Sequence, residues 1–149
     1  MSGPVLRKAL PGLRWQSVEV LGYKPEGSAP FRGVTRQVLF HDEALACEWR
    51  YFEVAAAGWS TLERHEHVHA VMILRGRGRC LVGDAVLSVG ERDLVRVPPM
   101  AWHQFRADDD SPLGFLCLVN RERDRPQLPD EKALAQLAGD PAVAAFIRR

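Results

Sequence analysis

Residues 63–69 read Glu-Arg-His-Glu-His-Val-His, and together with His103 they hold four of the five histidines in the chain. On an extended strand alternate residues share a face. Glu63, His65, His67 and, if the strand runs on unbroken, His69 would then point to one side. Several imidazoles and a carboxylate on the inward face of an apolar fold are unfavourable unless something pairs them. A divalent metal does so, because neutral imidazole nitrogen and carboxylate oxygen are good ligands for first-row ions. A solvated strand end or a histidine-rich surface hairpin is the competing reading. Against it stands the sequence that follows: His69 opens onto Ala-Val-Met-Ile-Leu, apolar on both faces and therefore deep in a fold. His103 lies apart, behind a Pro98-Pro99 turn that fixes the loop before it. Alone it reads as a core or edge histidine.

The elements that must position these residues are short strands. Segments 34–40 and 48–55 are rich in β-branched and aromatic residues, and 60–67, 69–74, 79–82, 85–89, 94–97, 102–106 and 113–119 follow between turn signals. A strand roughly every 8–12 residues is the pattern of an all-β sandwich or barrel. Gly76-Arg77-Gly78, Gly83-Asp84, Gly90-Glu91-Arg92 and 108–112 are the expected turns, and Asp124-Arg125-Pro126 a chain-reversing loop. A phosphate loop at Gly76–Gly78 is excluded by the lack of a following helix. The ends differ in texture: 1–33 reads as an arm and loop, 34–120 as the barrel, and 121–149 as a loop with short helices at 130–138 and from Asp140-Pro141 to about Ile147.

Composition narrows the function. The chain of 149 residues is 46% hydrophobic, enough for one domain with a sizeable core. Its 20 basic and 19 acidic residues leave a net charge of +1. That balance argues against nucleic acid as a partner, and no charged arm or apolar span points to a membrane. Cytoplasmic location is the expectation. Cys47, Cys80 and Cys117 are odd in number and lie in or beside apolar runs, so they read as reduced structural thiols.

At the histidine cluster the chain resembles the cupin superfamily, and in particular its small single-domain, metal-binding members. The first motif of that family closes on a glycine. Counting back from Gly76 puts His69 at the motif's Glu, His65 at its second His and Glu63 at its first. In the second motif Arg92-Asp93 stands for Gly-Asp, Pro98 for the proline and His103 for the histidine, while Ala107 stands where Asn is common. The likeness covers about residues 50–119. It implies a double-stranded β-helix, or jelly-roll, barrel with one divalent transition metal (Fe, Mn, Ni, Zn or Cu) on Glu63, His65, His69 and His103. The ligand count survives, with two identities exchanged. His67 would replace Glu63 if the hairpin is two residues shorter, or would otherwise sit beside the metal and orient a ligand. Phe105 shares a face with His103 and is a pocket-wall residue, whereas Trp102 and Gln104 alternate with it and face away.

Three nitrogens and one oxygen leave coordination positions open, which separates catalytic from structural metal. The expectation is a metal-dependent enzyme acting on a small molecule, with a dioxygenase-like oxidoreductase first and an isomerase or lyase as the alternative. A non-catalytic ligand-binding or metal-sensing module is the reading from another class. Open sheet edges and the apolar Ala70, Met72 and Leu74, opposite His69, lead us to expect a homodimer.

Overall fold

The computed structural model describes residues 3–149, and ten strands and two short helices follow one another in it: β1 (Ala9–Leu10), β2 (Arg14–Trp15), β3 (Leu21–Gly22), β4 (Arg32–Phe40), β5 (Cys47–Trp59), β6 (His69–Val82), β7 (Ala85–Gly90), β8 (Leu94–Val97), β9 (His103–Ala107), β10 (Leu113–Asn120), α1 (Glu131–Leu137) and α2 (Pro141–Phe146). The first two residues lie outside the described part. β1 and β2 form a separate hairpin within the segment expected to be an arm.

The other eight strands form one antiparallel sheet that closes on itself. β10 pairs with both β5 and β6, β9 likewise with both β5 and β6, and β4 and β3 continue outward from β5. The result is the all-β jelly-roll barrel expected, with two short C-terminal helices. Alternation builds the core: Phe52, Val54, Val71, Ile73, Phe105, Leu113, Phe115, Cys117 and Val119 face inward from five strands.

Two local expectations fail. Gly76–Gly78 is not a chain reversal, because β6 runs through it for 14 residues. Its first half pairs with β8 and β10, its second half with β7 and β9. The glycines instead let the strand bend and approach its neighbours. Gly76 takes a left-handed φ of 68°, and a Cβ there would run into the Pro112 backbone. The strand expected at 60–67 is also absent: apart from isolated bridges at Glu63 and Arg64, that segment is irregular. Its backbone groups are satisfied one at a time, which the alternation pattern alone does not reveal.

The helices begin where the sequence places them. Asp130 and Asp140 cap α1 and α2 through their side chains, and Pro141 occupies the first turn of α2. α2 buries Val143 and Phe146 against Leu62 and Leu81, closing the outer side of the barrel behind β9.

Candidate metal centre

The segment carrying the cluster is stitched to four parts of the fold. Ser60 N donates to Phe105 O (2.8 Å), while Phe105 N donates to Ser60 Oγ (2.8 Å). Glu63 and His103 exchange backbone hydrogen bonds of 3.2 and 2.9 Å. Arg64 and Gln127 do the same at 3.1 and 2.8 Å. Met100, held at φ 59° in the turn after Pro98-Pro99, donates its N–H to His65 O (2.7 Å). The Asp124 carboxylate accepts from Glu66 N (2.8 Å), His67 N (3.1 Å) and His67 Nδ1 (2.7 Å).

These ties bring His65, His69 and His103 together: one ring nitrogen from each lies within 4.8 Å of the others. The rings of His65 and His103 meet edge-on at 4.7 Å, and those of His65 and His69 lie 4.5 Å apart. Their tautomers follow from their partners. A carbonyl only accepts, so the 2.7 Å contact of His65 Nδ1 with His67 O and the 3.0 Å contact of His103 Nδ1 with Ala101 O make each Nδ1 the protonated nitrogen. Each Nε2 is left as a lone pair. Both Nε2 atoms are buried and have no hydrogen-bond partner.

Burial pushes the His65 pKa down to about 4, with His103 and His67 adding to it. Burial likewise holds His69 and His103 well below the usual imidazole range. All three are neutral near pH 7, the form that ligates metal without first losing a proton. An orphaned buried acceptor costs about 1–3 kcal/mol, and here two aim at one point. An imidazole-preferring divalent cation fits that donor set.

Glu63 and His67 flank the trio. Glu63 is 6% exposed and its carboxylate is ion-paired with Lys24. His67 stacks on His65 with ring centroids 3.6 Å apart, and its Nε2 lies 3.3 Å from His69 Nε2. With Nδ1–H given to Asp124, His67 turns its Nε2 lone pair towards His69. Only a proton or a cation between these nitrogens makes that approach favourable.

The five residues share a cavity of about 240 Å³. Phe105 lines it, stacked on Phe115 at 4.5 Å, and Phe115 packs on Phe52 at 5.6 Å. Gln104 turns away from it and is fully buried behind β9. Lys24, Arg36, Arg50 and Arg123 also border the cavity, against Glu63 as its one carboxylate.

Sequence reasoning missed several of these. Asp124 sits in a polar stretch with no periodicity to single it out. Lys24 lies in a Gly/Pro-rich loop. Arg50 and Cys117 did carry a signal, because each alternates with inward-facing residues (Phe52 and Val54, Phe115 and Val119).

A cupin domain model matches residues 50–119. A curated protein of Rhodospirillum rubrum named 1-methylthio-D-xylulose 5-phosphate methylsulfurylase is 62% identical over 134 residues, 90% of this chain and 86% of that protein. The chain belongs to the cupin family. The crystal structure of a cupin 2 conserved barrel domain protein from Rhodopseudomonas palustris superposes on this cupin with a TM-score of 0.92 at 58% identity, covering 97% and 99% of the two chains. That of a cupin-2 domain protein from Rhodospirillum rubrum does so at 0.85 and 62% identity, covering 89% of each. Among the described residues no helix is long and apolar enough to cross a membrane.

Proposed function

We propose that this cupin is a metal-dependent enzyme that removes the methylthio group from 1-methylthio-D-xylulose 5-phosphate, the compound in the name of its 62%-identical relative. The observation that carries the reading is the convergence of His65, His69 and His103 in a cavity of small-molecule size with a cationic border. These three histidines would hold one divalent transition metal, with Glu63 as the fourth ligand and His67, anchored by Asp124, beside them. When bound, such an ion acts as a Lewis acid on a substrate oxygen.

The chain's own residues do the rest. Lys24, Arg36, Arg50 and Arg123 outnumber Glu63 around the cavity, which suits a phosphate monoester dianion. Phe52, Phe105 and Phe115 give the methylthio end an apolar wall and keep water from it. The dioxygenase-like expectation rested on ligand types alone. Identity of 62% over nine-tenths of the chain to a protein named for methylthio chemistry outweighs it.

The test is metal analysis of protein purified without a chelating column, followed by incubation with that substrate and a small thiol. Loss of the methylthio group, abolished in His103→Ala, is the expected result. Stoichiometric metal without turnover would leave a binding or sensing module and overturn the enzyme reading.

We also place the protein in the cytoplasm as a homodimer. Its three cysteines are free. Met72 and Leu94, 39% and 74% exposed, border an apolar groove with Ala70, Leu116 and Leu118 on the outer face of the barrel. A sedimentation mass of 16.7 kDa at micromolar concentration would contradict the dimer.

A further inference from the structure

The three thiols sit in unlike surroundings. Cys47 is half-buried at the start of β5. Cys80 is fully enclosed in the core, where burial pushes its thiol up to about 11. Cys117 faces the barrel interior between Phe115 and Val119, and it alone of the three lines the cavity that holds the histidines. Its strand partner across the β5–β10 ladder is Arg50, whose guanidinium donates to Sγ at 3.7 Å. Arg50 Nε is itself buried without a partner. Independently, the unpartnered Nε2 atoms of His65 and His103, residues 1% and 3% exposed, mark the same cavity as a ligand site.

Taking CH3S from carbon with the bonding pair left on carbon needs an acceptor for electrophilic sulfur, and a thiol is the side chain suited to it. We propose that Cys117 is that acceptor, and hence a catalytic residue, in the reaction assigned above, on which this inference rests. Cys117 Sγ bonds to the substrate sulfur as the C1–S bond breaks. The electron pair stays on C1, which gains one proton, and the thiol loses one. Carbon is reduced, the two sulfurs are oxidised to a methyl disulfide on Cys117, and this half-reaction needs no other reactant. A low-molecular-weight thiol then exchanges with the disulfide, leaves as its own methyl disulfide and restores the Cys117 thiol. Arg50 stands where the negative charge forms as the thiol proton leaves. Burial holds the Cys117 thiol up while Arg50 pulls it down, so the resting group is the thiol. The sequence-based expectation of an inert thiol is kept for Cys47 and Cys80 and given up for Cys117.

The test uses purified metal-bound protein and 1-methylthio-D-xylulose 5-phosphate without any added thiol. The expected result is one equivalent of the ketose phosphate bearing a methyl group at C1. One methylthio adduct should map by peptide mass spectrometry to Cys117 and be lost on adding a small thiol. Cys47→Ser should form the same adduct. Cys117→Ser and Cys117→Ala, each checked for an intact thermal midpoint and metal content, should form neither adduct nor product. Product without an adduct on Cys117, an adduct on another cysteine, or undiminished turnover by either folded variant overturns the proposal while leaving the reaction assignment intact. No product from the wild-type protein, with or without a small thiol, overturns both.

Discussion

Gln104 offers a test of how the barrel holds the strand that carries His103. Its side chain is completely buried and makes three hydrogen bonds: Nε2 donates to Ser60 O (2.8 Å) and Arg148 O (2.9 Å), and Oε1 accepts from Arg148 N (2.9 Å). It thereby joins the start of the irregular segment to the end of the chain after α2. Gln104→Leu keeps the volume close and removes all three bonds. Ser60 is 6% exposed, so its carbonyl would be orphaned at about 1–3 kcal/mol, whereas the half-buried Arg148 groups find water at about 0.5–1 kcal/mol each. The sum is about 2–5 kcal/mol, a large share of the ~5–15 kcal/mol that stabilises an ordinary domain. Urea denaturation followed by tryptophan fluorescence should show it as a lower midpoint at unchanged slope. Because Gln104 faces away from the cavity, metal affinity should change little. A stability loss below about 1 kcal/mol would refute this account of the clamp. A large loss of metal affinity in a folded variant would refute the separation of clamp from site.

Three further expectations concern the site. His65→Ala, His69→Ala and His103→Ala should each abolish most metal binding, Glu63→Gln should weaken it and His67→Ala should weaken it less; elemental analysis ranks them, and full retention in any of the first three breaks the ligand set. Asp124→Ala frees the His67 ring and two backbone N–H groups, so metal affinity should fall about 10- to 100-fold by titration, as for other residues that orient ligands; unchanged affinity would make Asp124 a surface residue only. Metal-free protein should lose stability on acidification. His65 binds its proton near 6.5 when unfolded but near 4 when folded, so its contribution is complete above pH ~6.5, lost as pH falls towards ~4, and worth about 3 kcal/mol. A flat urea midpoint between pH 7 and pH 5 would contradict that shift.

The barrel was legible because its signal is periodic and long-range. Inward-facing apolar residues alternate along 48–55, 85–89 and 113–119, and turn residues interrupt them at even spacing. Gly76–Gly78 misled because glycines that permit a bend and glycines that permit a reversal look alike. Only the Pro112 backbone and the Arg106 carbonyl, lying against those glycines, distinguish the two. The stretch 60–67 misled for a different reason. Its residues alternate as a strand would, but their hydrogen bonds go to β9, to the turn before it and to 124–127, partners between 33 and 63 positions away. Lys24 and Asp124 were invisible for the same cause, since nothing local distinguishes a loop cation that reaches Glu63 from one that reaches water.

That irregularity is what permits the constellation. On an ideal strand His65, His67 and His69 would stand in a row on one face, roughly 7 Å apart at each step of two residues, too far for three rings to share one point with His103. The break after His65 replaces that row with a fold-back. His67 lies flat on His65 at 3.6 Å, and His69 enters the regular strand β6 with its Nε2 beside that of His67. Folding the chain back strands backbone N–H groups at Glu66 and His67, and the Asp124 carboxylate takes both together with the imidazole. The loop that looks least ordered in sequence thus supplies the charge that holds the tightest part of the site. The rigid barrel contributes His69 and His103 at fixed positions, and the 60–67 segment brings Glu63, His65 and His67 to them through bonds that can be removed one at a time.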